Sequence, residues 1–378
     1  MIRRLLAALL LLVFCVSANG DDVSDAVAVI QQLGLNGEGN EQAIHAMEQL
    51  KKAQPSRIPD LLLGMQKDSP VANNWLRSAA EQVADRAKRV KAAVPFAGLQ
   101  EVLDDRANPT RAREVAFEWL VAEKGEDFKR STLAAMQNDP SLELRRLAIA
   151  QAIGDYEKLN LQGEAAVTAL RNIIRSARAV DQIEDLAKRI EALDAKVDVP
   201  LIFGFITDWR LVAPFDNTNT QGFDKVYPPE QSVDVLATYN GKNGNQVKWV
   251  HYSTDDQYGM VDLKKVFGKN KGSAAYAFAE FTAVKEQPVD LRLGCINANK
   301  IWLNGELVTA NHVYHAGSAI DQYVGQGVLR KGRNEILLKI CENEQEEAWA
   351  QDWQFQFRVC DELGTAVLSK ERLEAQAR

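Results

Sequence analysis

Ile301-Trp302-Leu303-Asn304-Gly305-Glu306-Leu307-Val308 is the stretch that decides the fold of the C-terminal half. Asn-Gly between two apolar runs predicts a two-residue type I′ hairpin, because both central residues tolerate positive φ. Working outward, short alternating runs recur with turn residues between them: Leu201 to Ile206, Val247 to His251, Ala275 to Phe281, Val289 to Cys295, Lys300 to Leu303, Glu306 to Val308, Glu335 to Cys341 and Trp353 to Val359. Many short strands of this kind predict an antiparallel β-sandwich or jelly roll. Trp353, Phe355 and Phe357 alternate on one strand and are assigned to its core.

A second piece follows the hairpin, Leu329-Arg330-Lys331-Gly332-Arg333-Asn334-Glu335-Ile336-Leu337-Leu338-Lys339. The order of hairpin, aspartate segment Ile320-Asp321-Gln322-Tyr323 and this Gly-x-Asn strand resembles the galactose-binding-like β-sandwich, best over 274–359. That fold serves as sugar-binding modules and as accessory domains of secreted glycoside hydrolases, and many of its members bind no sugar. More narrowly, Trp209 to Asn217, Gly222-Phe223-Asp224 and Tyr227-Pro228-Pro229-Glu230 are similar to C-terminal domains of uncharacterised exported proteins from planctomycete-type bacteria. Those proteins often carry helical repeats as well. This closer resemblance covers 201–363 and imports no activity, and the sandwich is expected over 198–363.

The other half reads differently. From Val23 to about Asp194 apolar residues recur at helical spacing, as in Leu76, Ala79, Ala80 and Val83, or Ala112, Val115, Ala116 and Trp119. Asp68-Ser69-Pro70, Asn108-Pro109-Thr110 and Asp139-Pro140-Ser141 punctuate the helices, with prolines 39 and 31 residues apart. A capping side chain followed by proline at the first helical position suits a helix start, and the interval suits two-helix units. With Arg111, Arg113, Arg145 and Arg146 behind the prolines, this half resembles HEAT-type repeats. The expected class is therefore α plus β: a helical repeat solenoid over 21–197, then the sandwich, then a charged tail over 364–378. A plain helical bundle is the alternative for the first part. The break is placed at Val199-Pro200, since the residue before proline is pushed out of the helical region.

Arg3 and Arg4, the apolar run Leu5 to Val16, and Ser17-Ala18 have the three parts of a secretory signal, with cleavage expected near 18–20. The expected location is exported: periplasmic, cell-envelope or secreted. The chain of 378 residues has net charge −7, and loss of the two arginines makes it −9, which argues against nucleic acid as a partner. No span is expected after cleavage. Cys295, Cys341 and Cys360 would remain. Cys295 is assigned to a strand's inward face, and Cys341 and Cys360 to opposite ends of two consecutive paired strands, unbridged.

A sugar site needs an aromatic platform with carboxylates or amides beside it. The candidates are Trp302, Tyr314, Asp321, Trp249 and Trp349, each weighed against simple packing. Asp216, Asn217, Asp255 and Asp256 are the oxygen-rich places for a structural calcium, although no loop assembles the six oxygens it requires, and turn capping explains most of them. No other cofactor is expected. For an enzyme the best set is His312 and His315 with Asp321 and Glu306, without a third zinc ligand at a recognisable spacing. A P-loop, dinucleotide fingerprint and nucleophile elbow are absent from the sequence. The leading expectation is a non-catalytic binding protein whose sandwich recognises a glycan or other extracellular ligand while the helices contact protein. The alternatives are a structural envelope component that binds only protein and, third, a polysaccharide hydrolase.

Overall fold

The computed structural model describes residues 22–376. The expected signal segment and its cleavage position lie outside them. The chain is α plus β and divides into two compact units, Met1–Ala148 and Ile149–Arg378.

In the first unit the helices are α1 (Asp22–Ile30), α2 (Asn40–Leu50), α3 (Ile58–Leu63), α4 (Pro70–Arg89), α5 (Phe96–Asp104), α6 (Thr110–Lys124), α7 (Glu126–Ala134) and the start of α8 (Leu142–Lys158). Sequence neighbours pack in pairs, α1 on α2, α3 on α4 and α5 on α6. The stripe Leu76, Ala79, Ala80 and Val83 is fully buried, as are Ala112, Val115 and Ala116, while Trp119 is half-buried.

The three punctuation motifs start their helices in different ways. Pro70 is the first residue of α4, but Pro109 caps α6 from outside, and the Asn108 amide donates back to the Val102 carbonyl. At the third, Ser141 Oγ accepts from the Leu144 N–H, so serine rather than Asp139 caps α8. Asp139 is thereby free for Arg113, which bonds it twice, at 2.6 and 2.8 Å, with both side chains buried. Arg113 also donates to the Leu103 carbonyl, and Arg145 donates to that of Asp139. The link ties α6 to the turn before α8.

The second unit continues with α9 (Gly163–Ser176), α10 (Val180–Glu191) and α11 (Val199–Phe203). The strand expected over 201–206 is therefore a helix at its start. Asp198 accepts from the Leu201 N–H and Pro200 sits in the first turn, so Val199-Pro200 opens a helix instead of ending one. Although strands begin close to the expected boundary, the last helices share a core with them: Leu170, Ile174, Leu186 and Ile190 cluster with Phe203, Phe205, Tyr258 and Ile320.

The strands are β1 (Asp208–Asp216), β2 (Thr238–Asn240), β3 (Gln246–Lys248), β4 (Val250–Ser253), β5 (Val261–Asp262), β6 (Ser273–Ala283), β7 (Gln287–Cys295), β8 (Ala298–Leu303), β9 (Glu306–Asn311), β10 (Tyr323–Leu329), β11 (Gly332–Glu342) and β12 (Gln354–Cys360). One antiparallel sheet runs β4-β1-β6-β11-β8-β9 and a second runs β10-β7-β12-β5, with β2-β3 a separate ribbon. Their inward residues make one core, in which Trp353, Phe355, Phe357 and Cys295 are fully buried. In β1 the register shifts between Val212 and Phe215, where Pro214 has no N–H to give the ladder.

Asn304 and Gly305 take φ of 53° and 82°, the two positive values of the hairpin read from the sequence. The Asn304 amide donates to Asn334 Oδ1 and its oxygen accepts from the Glu335 N–H, both at 2.9 Å. Thus the two sequence pieces that carried the resemblance are bonded to each other. Cys341 and Cys360 require a correction: β11 and β12 belong to different sheets and do not pair. All three cysteines are buried free thiols.

Candidate functional site

The strand registers bring five chain segments to one end of the larger sheet. Asp216, the end of β1, lies opposite Ser273, the start of β6. Ser273 in turn lies opposite Glu342, the end of β11. Cys341 pairs Ala298, and Asn299 pairs Asn311, the end of β9. The loops after β1, β9 and β11 and those before β6 and β8 therefore meet there.

Hydrogen bonds lock these loops from below. Asn217, fully buried, donates its backbone N–H to the Gly272 carbonyl (2.8 Å) and its amide to the Glu342 carbonyl (2.9 Å) and the Tyr314 hydroxyl (3.1 Å). Glu342 is buried and bonded to Lys271 Nζ at 2.8 Å; burial pushes its carboxyl up, with the lysine opposing. Lys271 also reaches the Ala350 carbonyl at 2.7 Å. The base of the site is thus fixed before any ligand arrives.

Above this base the surface is open. A depression of about 670 Å3 is lined by Thr220 and by Asn343 to Glu347. His315 joins Asn343 through Nε2 at 3.0 Å and meets the Trp349 ring edge-on, with centroids 4.9 Å apart. Trp349 is 58% exposed, and the chain's other six tryptophans are all buried or half-buried. Glu344 accepts from the Asn219 N–H, while Glu346 and Glu347 are exposed. An exposed indole face beside amide and carboxylate side chains can hold the apolar face of a ring and bond its hydroxyls.

Of the remaining sequence candidates Tyr314 lies in the base of this site, while Trp302, Trp249 and Asp321 stand apart from it. Trp302 is only 7% exposed and is buried in one cluster with Phe223, Tyr227 and Trp249, so little of its ring is left for a ligand. Trp249 is buried beside Phe278, its Nε1 donating to the Tyr239 hydroxyl at 3.2 Å. Tyr314 is half-buried, its hydroxyl held by Asn217 and its pKa raised by burial; it supports the loops rather than offering a platform. Asp321 lies in the turn before β10 of the other sheet, where it accepts from Arg358 Nε at 2.6 Å and Arg292 Nη1 at 2.9 Å. Those arginines stand directly opposite each other on β12 and β7, and an anion between them is required. Outward arginines on two neighbouring strands were the signal for this role.

The enzyme set is dispersed in the same way. His312 stacks flat on Phe223 at 4.1 Å, His315 is held by Asn343, Asp321 by its arginines, and Glu306 is exposed at the start of β9. The oxygen-rich places do not fit calcium. Asp216 accepts from the Thr218 N–H and hydroxyl, Asp256 caps Tyr258 and Met260, Asp255 is exposed, and Asn217 Oδ1 alone is both buried and unpartnered. One such oxygen falls far short of six. Among the described residues no group of three His, Cys, Asp or Glu side chains could hold a metal, and no helix is long and apolar enough to cross a membrane.

No protein family model matches the chain, and no curated protein matches it. Among solved structures, a family 35 carbohydrate-binding module from Clostridium thermocellum is 13% identical over 23% of this chain and 71% of its own, at a TM-score of 0.18. A β-glucosidase from Kluyveromyces marxianus is 13% identical over 23% of this chain and 11% of its own, at a TM-score of 0.19. An anti-sigma factor domain-containing protein from Clostridium clariflavum is 10% identical over 44% of this chain and 46% of its own, at 0.23. The chain thus spans about a tenth of the β-glucosidase. At these scores the likenesses carry no argument about function.

Proposed function

We propose that this chain is a non-catalytic binding protein whose β-sandwich takes a glycan at the loop end around Trp349, while the helical unit, a HEAT-type solenoid, contacts protein. The observation that carries the glycan reading is the exposed Trp349 indole, braced by His315 and flanked by Asn343 and the exposed Glu346 and Glu347. The acidic surroundings favour neutral sugars over uronates or sulfated chains. The solenoid reading is supported by the buried Arg113–Asp139 link between successive helix pairs. Export to the periplasm, envelope or medium belongs to the same proposal and rests on the N-terminal sequence pattern.

Affinity electrophoresis of the whole protein through gels containing neutral polysaccharides tests it. Retardation by at least one glucan, mannan or xylan, abolished by Trp349→Ala with the melting curve unchanged, is the expected result. Unretarded migration in every gel, or retention by the variant, counts against it.

A further inference from the structure

The helical unit contains a cavity of about 380 Å3 that the packing between its helices leaves open. Half-buried Trp119 of α6, Phe96 of α5 and Val94 form its inner wall. Exposed Asp85 of α4 and Glu123 of α6 stand at its mouth with Glu81, and Lys88 is the one cation among the lining residues. Glu81 is engaged by Arg77 at 2.8 Å. Among the described residues the Asp85 and Glu123 carboxylates have no side-chain hydrogen bond or ion pair. An aromatic wall with two uncommitted carboxylates selects a cation, since the ring face attracts positive charge and the carboxylates bond it. A guanidinium suits it better than an ammonium, being planar, less strongly hydrated and able to stack while bonding in its plane.

A second depression lies farther along the same helix. Asn74, Ser78, Glu81, Asp85 and Lys88 follow at i, i+4, i+7, i+11 and i+14, so they share one stripe of α4. At the Asn74 end this stripe borders an apolar hollow of about 330 Å3 formed with Ile44, Met47 and Trp75. From Asn74 to Asp85 the helix rises about 16 Å. We propose that this stripe binds a basic peptide segment of a partner protein, with an arginine side chain entering the Trp119 cavity and an apolar residue resting on Trp75. The proposal rests on the scaffold reading of the helical unit and is independent of the glycan site.

Fluorescence anisotropy of labelled hexa-arginine with the whole protein at physiological salt tests the cationic cavity. Binding should weaken at least tenfold in Asp85→Asn/Glu123→Gln and stay unchanged in Glu41→Gln/Glu101→Gln, which removes the same charge from exposed sites elsewhere in the unit. Hexalysine should bind several-fold more weakly. All four substitutions are at exposed positions, and circular dichroism confirms the fold. Absence of binding, equal loss in both double variants, or equal affinity for the two peptides overturns the proposal. A partner protein that binds the helical unit and is indifferent to Asp85→Asn/Glu123→Gln would also remove this site, yet leave the scaffold reading standing.

Discussion

Asn334 is fully buried and does more than its place in a turn motif foretells. Its oxygen accepts from the Arg330 N–H and the Asn304 amide, and its own amide donates to the carbonyls of Arg330 and Gly332. Alanine there would strand several buried groups at once. Each unsatisfied buried group costs about 1–3 kcal/mol. Asn334→Ala should therefore lower the urea midpoint by an amount equivalent to at least about 2 kcal/mol, and an unchanged midpoint would remove the clasp from the account. The Asn-Gly turn itself was legible, because positive φ at two successive residues is a local property that sequence states directly. The clasp partner was not, since side-chain bonds across 30 residues depend on the sheet register. The cysteines carry a second prediction at this scale. Burial raises the Cys295 and Cys341 thiols to about 12 and Cys360 to about 11. At pH 8 the native protein should leave all three unreactive toward a disulfide reagent, and urea should release them; rapid native reaction would contradict the burial.

Between elements, the link from Arg113 to Asp139 is the most consequential contact in the helical unit. Burial alone would raise the Asp139 carboxyl, but bonds from Arg113 and the Ser141 N–H hold it below its usual range. A carboxylate depressed in the folded state adds stability that is present above its unfolded pKa and lost as pH falls through the folded one. Acid unfolding below about pH 4 should therefore be blunted in Asp139→Asn, which should also cost about 3–5 kcal/mol at neutral pH by leaving Arg113 buried and unpaired. Chemical denaturation between pH 3 and pH 7 measures both, and parallel pH profiles for variant and parent would refute the link. Sequence located this motif by its proline and misassigned the cap: Asp139 and Ser141 are both capping residues, and the choice was made by an arginine one helix away. The same limit explains α11. A proline two residues into a short helix and a proline ending one look alike until Asp198 is seen accepting from Leu201.

Across the whole chain, alternation in the strands and the 3.6 period in the helices gave the α plus β order. The division into units was less accessible, because α9 to α11 have the same helical pattern as their predecessors yet bury Leu170, Ile174, Leu186 and Ile190 with residues from the strand region. A fragment over 149–378 should accordingly fold with a cooperative melt, whereas one over 198–378 should melt lower or aggregate; equal melting temperatures would show that these helices are dispensable. Candidate ligand residues were the hardest to read. Trp302 stands between Ile301 and Leu303 and Trp349 two residues after Glu347, yet alternation along a strand left Trp302 free to face outward, and only its clustering with Phe223, Tyr227 and Trp249 makes it a core ring while Trp349 stays exposed. The most direct measurement is acrylamide quenching of tryptophan fluorescence with and without a retained neutral polysaccharide. A decrease in quenching that disappears in Trp349→Phe is predicted; quenching indifferent to the sugar, or protection that persists in the variant, would contradict a glycan site at Trp349.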